Sequence, residues 1–256
     1  MTDRSKVSGR RLGGLLVRRQ RWGISTAGKL LIFTLAALIC FATLRSLNHL
    51  LAITDRIPCR LLVVDGWLPT WDLERAAAEY QRGTYDLVLA VRSVTPYDSA
   101  ELGYAYDDYV CDILVRHGVP RERINPVLFP EQARDRTLMS ALAVGEWCSR
   151  RGIELSALNL VTLGPHARRS RFLYRQALGD AVAVGVIGLP DPWFDADHWW
   201  RSSEGVREVL FEGIAYIYVR LFPPTSPTSA IPLINIAGER SSAAMPPPTD
   251  SSRAKQ

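Results

Sequence analysis

His166, Arg168 and Arg169 fall within four residues of one another, just after an apolar run and a Gly-Pro pair, in the segment LNLVTLGPHARRSRFLYRQALG. An imidazole takes up or releases a proton near neutral pH, and a guanidinium grips a phosphate or carboxylate through two parallel charge-assisted hydrogen bonds. Leu158, Leu160, Val161 and Thr162 read as a short buried strand, Gly164 and Pro165 break it, and Phe172, Leu173 and Leu178 follow at helical spacing. A strand turning into a helix there sets the three side chains beside the helix's unbonded N–H groups and positive dipole end, where an anion is favoured. The alternative is a solvated basic face of Arg168, Arg169 and Arg171, with His166 an ordinary turn residue.

Two more strand ends carry residues able to do chemistry. Asp65 and Gly66 follow the run LLVV, and Asp135, Arg136 and Thr137 follow the run ending at Phe129. Asp65 offers a second proton acceptor besides His166, Gly66 permits close backbone approach or positive φ, and Trp67, Leu68 and Pro69 shape a wall. The segment DPWFDADHWW holds Asp191, Asp195, Asp197 and His198 without a ligand spacing that a metal demands, and its Trp pair reads as a packed loop, so no metal is expected. Phosphate-loop, dinucleotide, nucleophile-elbow and zinc-protease motifs are absent from the sequence.

Positioning these groups requires elements whose carboxyl ends share one edge. From Arg60 onward, short apolar runs alternate with longer amphipathic ones, the pattern of βα units around a parallel sheet covered on both faces. The runs predict five strands, Arg60–Val64, Tyr85–Val91, Ile124–Phe129, Leu158–Thr162 and Ala181–Ile187. Helices are predicted at Trp71–Arg82, Ser99–His117, Arg134–Arg151, Ala167–Leu178 and Ser203–Leu221. On the last of these, Val206, Val209, Leu210, Gly213 and Ile217 make one core-covering face. A membrane-lying helix would look similar, but Glu204, Glu208 and Glu212 disfavour an anionic surface.

The rest of the 256-residue chain is appendage. The net charge of +5 hides a basic leader: residues 1–29 hold eight basic residues against one acid, +7, which leaves the remainder at −2 and gives no reason to expect nucleic acid. Leu30–Leu44 is uncharged and apolar, flanked by Lys29 and Arg45. Its length of roughly 22 Å falls short of a ~30 Å hydrocarbon core, but both cations can snorkel and the helix can extend. The leader is long and no small-x-small site closes the apolar run, which favours an uncleaved anchor over a signal peptide. The expected organisation is a basic cytoplasmic leader at 1–28, a transmembrane anchor at 29–53, an α/β domain at 55–222 and a Pro/Ser-rich disordered tail at 223–256. The positive-inside rule puts the N-terminus in the cytoplasm and the domain outside it, on a single-pass inner (plasma) membrane protein. The four cysteines show neither C-x-x-C spacing nor the density of a disulfide framework.

The order of LLVVDGWLPTWDLERAAAEYQRGTYDLVLAV, ILVRHGVPRERINPV, RTLMSALAV, LVTLGPHARRSRFLY and WWRSSEGVREVLFEGIAYIY resembles the DUF218-type family over roughly residues 60–221. The most specific match is Val161-Thr162 followed by His166 and Arg169, where the family has V-T-S-x-x-H-x-x-R; Gly118 to Pro120 and the Thr137 turn are others. The resemblance implies a Rossmann-like three-layer α/β domain behind one membrane helix, a role in bacterial envelope (cell-wall, peptidoglycan) biogenesis, and no established reaction or cofactor. It adds Arg75 and Thr162 to Gly66, Thr137, Arg168 and Arg169 as ligand-binding candidates, with His166 and Asp65 as the proton-transfer candidates. The chain departs from the family where only Gly66 remains of a glycine-rich turn, where Arg92 and Ser93 replace S-G-G, and where Thr137, Leu138, Met139 and Ser140 replace Thr-x-Glu-Asn. The expected ligand is an anionic, phosphate-containing small molecule or lipid-linked precursor. The alternative is a non-catalytic docking module of an envelope assembly, which the lost carboxylate favours.

Overall fold

The computed structural model describes residues 10–11, 16–17, 24–94, 109–130, 134–224 and 232–234. The expected helix start at 99–108, and most of the leader and tail, lie outside the described residues. The chain divides into two compact units, Met1–Leu44 and Arg45–Gln256.

In the first unit Arg10–Arg11 pairs antiparallel with Leu16–Val17, and helix α1 follows at Thr26–Arg45 with no buried side chain. Its 20 residues reach about 30 Å at ~1.5 Å each, and it is long and apolar enough to cross a membrane. The span thus extends the apolar run toward its N-terminus and ends at Arg45. Leu47–Leu51, expected within the anchor, is a separate helix α2 of the second unit, with Asn48 and Leu51 buried.

The second unit is an α/β fold. In chain order it comprises α2, β1 (Thr54–Asp55), β2 (Leu61–Asp65), α3 (Thr70–Arg82), β3 (Leu87–Val94), α4 (helical at 109–116), β4 (Ile124–Pro130), α5 (Arg136–Arg150), β5 (Ala157–Leu163), α6 (Ala167–Leu178), β6 (Ala183–Leu189) and α7 (Ser203–Leu221). The six strands form one sheet in the order β1-β6-β5-β2-β3-β4, parallel throughout except that β1 runs antiparallel to β6. Five of them are the predicted strands, shifted by up to two or three residues. The sixth, β1, is too short to show an alternation and exists because Thr54 and Asp55 pair with Ile187 and Val186.

Strand alternation builds two cores. Leu61 and Val63 point into one with Ala141 and Val144 of α5 and Ala167 and Tyr174 of α6. Leu62 and Val64 point into the other with Leu73 and Ala76 of α3 and Val110 and Leu114 of α4. Helices therefore cover both faces. The chain moves outward from β2 through β3 and β4 on one side and returns through β5 and β6 on the other, so the order reverses between the neighbours β2 and β5, where Val64 lies beside Val161. Helices on opposite faces diverge there and leave a crevice beyond the strands' carboxyl ends.

Helix α7 adds a further layer over α6 and α2: Val219 packs with Leu138 and Leu173, and Val209 with Leu51 and Trp199. Its buried side differs from the predicted one. Gly205, Val209, Glu212, Gly213 and Val219 face inward, whereas Leu210 and Ile217 are exposed. Residues 232–234 also depart from a structureless tail. Leu233 packs on the first core, and the Ile234 N–H donates to Leu128 O at 2.9 Å, taking a carbonyl that the edge strand β4 leaves open.

Candidate functional site

A single 3-10 turn, Gly164–His166, joins β5 to α6 and puts His166 at the start of the helix beside the crevice. Arg169 follows one turn on. Glu212 of α7 faces both: it accepts from Arg169 Nε at 2.7 Å and Arg169 Nη2 at 2.9 Å, and its Oε1 lies 3.0 Å from His166 Nδ1. These side chains are largely buried, with 9% of Glu212, 15% of His166 and 17% of Arg169 exposed. Burial pushes the Glu212 carboxyl up, but the hydrogen bonds from His166 and Arg169 and the guanidinium charge outweigh it and set it at about 2. Glu212 is therefore a carboxylate at any physiological pH.

That charge and the Arg169 guanidinium both bear on the proton position of His166. Nδ1 lies 3.0 Å from Glu212 Oε1 and 2.8 Å from Arg169 Nη2, and a ring nitrogen carries either a proton or a lone pair. A proton on Nδ1 gives Glu212 a charge-assisted bond and crowds the Arg169 N–H, whereas a lone pair accepts from Arg169 and faces the carboxylate oxygen. Nε2 lies 3.5 Å from Thr137 Oγ1 in the first turn of α5, with the Trp67 ring edge-on at 5.7 Å.

His166 opens onto a cavity of about 360 Å³. Trp67 after β2 and Trp193 in the loop after β6 flank it, 49% and 66% exposed, and Trp71 meets Trp193 edge-to-face at 6.1 Å. Its charged lining comprises Asp191, Glu204, Glu208 and Glu212 against Arg207, so the wall is net acidic. Among the described residues, no three His, Cys, Asp or Glu side chains are grouped to hold a metal.

The other predicted residues stand around this cavity, not on its lining. Asp65 is buried, 3% exposed; burial raises its carboxyl, while the Thr162 hydroxyl and the Arg169 charge act in the opposite sense. Ser170 and Tyr174 are fully buried and their hydroxyls lack a partner. The Tyr174 hydroxyl is held well above its ordinary value by burial and by the Asp65 charge. The Gly66 N–H donates to Val91 O at 2.8 Å, and a Cβ there would meet that oxygen at 3.0 Å, so this glycine serves close approach of β2 to β3. Arg168 Nε donates to Leu50 O, and Arg75 Nη1 donates to Asp72 Oδ1 and to Pro190 O, both at 2.9 Å. Arg75 thereby ties α3 to the loop that carries Asp191 and Trp193.

Two contributors escaped sequence reasoning. Glu212, grouped by sequence with Glu204 and Glu208 as acids that disfavour an anionic surface, is instead buried beside Gly205, Val209 and Gly213. The DPWFDADHWW loop, expected to be packing, does bury Trp199, but its Asp191 and Trp193 form part of the cavity wall. Compared with known proteins, the chain matches no family model, no curated protein and no solved structure.

Proposed function

We propose that this chain is a membrane-anchored, Rossmann-like α/β protein of the bacterial envelope, akin to the DUF218-type family, whose cavity takes the hydroxyl-rich head of a small molecule and whose His166 exchanges a proton with it. The observation that carries this reading is Glu212 behind His166, whose charge favours the proton on Nδ1 and leaves Nε2 to accept one, at a cavity flanked by indoles and carboxylates. Carboxylates accept hydrogen bonds from hydroxyls, and exposed indole faces stack on the C–H faces of a sugar ring. When Nε2 takes a proton from a hydroxyl, Glu212 stabilises the imidazolium that results.

The acidic lining disfavours a phosphate deep in the cavity, and Arg168 and Arg169 already donate to Leu50 O and Glu212. In a sugar carried on a lipid phosphate, the sugar would enter and the phosphate would stay at the mouth, where Arg207 is exposed. This keeps the expected lipid-linked precursor as ligand and changes which part of it the site recognises.

The test is tryptophan fluorescence of the full chain in detergent, titrated with N-acetylglucosamine 1-phosphate and separately with inorganic phosphate. Saturable change with the sugar phosphate alone is expected, and Trp193→Ala should weaken it about fivefold, the ~1 kcal/mol of one stacked ring. Equal response to inorganic phosphate, or no response to either, overturns the reading; the latter is what a docking module without a ligand would give.

A further inference from the structure

Helix α7 has two characters along its length. Its first half turns Glu204, Arg207, Glu208 and Glu212 toward the cavity. From residue 210 to 222 the exposed positions are Leu210, Phe211, Ile214, Ile217, Tyr218, Arg220, Leu221 and Phe222, seven of the eight being large and apolar or aromatic. Phe211, Ile214 and Leu221 are 67–69% exposed. At 100° per residue the six that lie within the helix fall on one arc and Arg220 lies off it, with its guanidinium over the Phe172 ring at 5.1 Å. No carboxylate shares the arc, because Glu212 faces inward to His166 and Arg169. A continuous uncharged aromatic and aliphatic face of this size on a soluble-looking domain marks an interaction surface.

Chain connectivity says what lies near it. The apolar helix α1 ends at Arg45 and α2 starts at Leu47, two residues on, a reach of at most about 7 Å. Helix α2 is packed directly on α7: a methyl at Gly213 would meet Leu47 at 3.3 Å, and Leu51 shares a buried cluster with Val209 and Trp199. Packed helices lie about 8–10 Å apart. The exposed Leu50 of α2 adds to the same apolar character.

We infer that the outer face of α7, from Leu210 to Leu221, with Phe222 just after it, lies in the lipid surface, an inference that rests on α1 spanning a membrane. The occupant is the interfacial layer of the bilayer, into which an amphipathic helix sinks its apolar side. Docking of this helix would hold the cavity formed by its first half next to the lipid surface, within reach of a head group still attached to its lipid tail.

The experiment uses the full chain reconstituted into vesicles of phosphatidylethanolamine and phosphatidylglycerol, with the photo-crosslinker p-benzoylphenylalanine in place of Phe211 or of Tyr218. Ile153, exposed in the loop after α5, is replaced in the same way as control. Mass spectrometry after irradiation should show lipid adducts at 211 and 218 about tenfold above those at 153, as burial in the interface requires. Crosslinked dimers, adducts within the chain, or lipid adducts no more frequent than at 153 overturn the inference and assign the face to a second copy, to another segment of this chain, or to water. A carbonate wash separates the two failures: release of the protein rejects the membrane span itself, whereas retention without adducts at 211 and 218 rejects only the docking of α7.

Discussion

Replacing Glu212 by Gln removes one charge from the His166–Arg169–Glu212 cluster while keeping the side chain's shape. Its carboxyl is lowered from 4.5 to about 2, so the folded protein favours the charged form, by roughly 3 kcal/mol. An amide oxygen still accepts one bond from Arg169, so the expected loss at pH 7 is about 2–3 kcal/mol. For a unit of this size that lowers Tm by roughly 5–10 °C. The sign with pH follows from the direction of the shift. A depressed carboxyl contributes its full stability above its unfolded value near 4.5 and loses it as pH falls through its folded value near 2. The wild-type advantage over Glu212→Gln should therefore be constant above about pH 5 and shrink to under about 0.5 kcal/mol by pH 2, since other titrating groups are common to both proteins. Urea unfolding of the two chains followed by circular dichroism across this range measures it. Equal stability at pH 7, or an advantage that persists undiminished at pH 2, would refute the argument.

Three other expectations concern the frame around the site. Gly185→Ala would bring a methyl within 1.9 Å of Asn159 Oδ1 and 2.9 Å of Asp55 O, breaking the bonds by which Asn159 holds Ile57; a loss of about 2–3 kcal/mol or more should appear in the urea midpoint. The Cys148 thiol, 1% exposed and pushed up to about 11 mainly by burial, should alkylate about a hundredfold more slowly than an ordinary thiol in the native protein at pH 8 and normally once unfolded, as peptide mapping would show. Arg75→Ala frees the loop bearing Trp193 from α3, so sugar-phosphate binding should weaken several-fold while stability falls by only about 1 kcal/mol; unchanged binding would deny Arg75 its positioning role.

The β5–turn–α6 unit was legible because periodicity changes abruptly at Gly164 and Pro165, and α7 because its apolar and small residues recur with the helical period from Ser203 to Leu221. What α7 buries was not legible. The partner that makes Glu212 a buried carboxylate lies 43 residues earlier, and periodicity carries no information about pairing. The partners of Arg75 and Arg168 were not legible either: they include the backbone carbonyls of Pro190 and Leu50, and every residue has a carbonyl. Strand β1 left no trace because two residues acquire strand geometry only from the partner β6.

The claim on which the site depends is that Glu212 fixes the proton of His166 on Nδ1 and presents Nε2 to the ligand. With only four histidines, at 49, 117, 166 and 198, the full chain labelled with ¹⁵N-histidine gives a ring spectrum that His166→Gln assigns directly. The expected result is a His166 ring with its proton on Nδ1 and Nε2 bare, and an Nε2 shift on adding N-acetylglucosamine 1-phosphate while the other three rings stay still. A His166 ring protonated on Nε2 alone, or one that does not respond to saturating sugar phosphate, would contradict it.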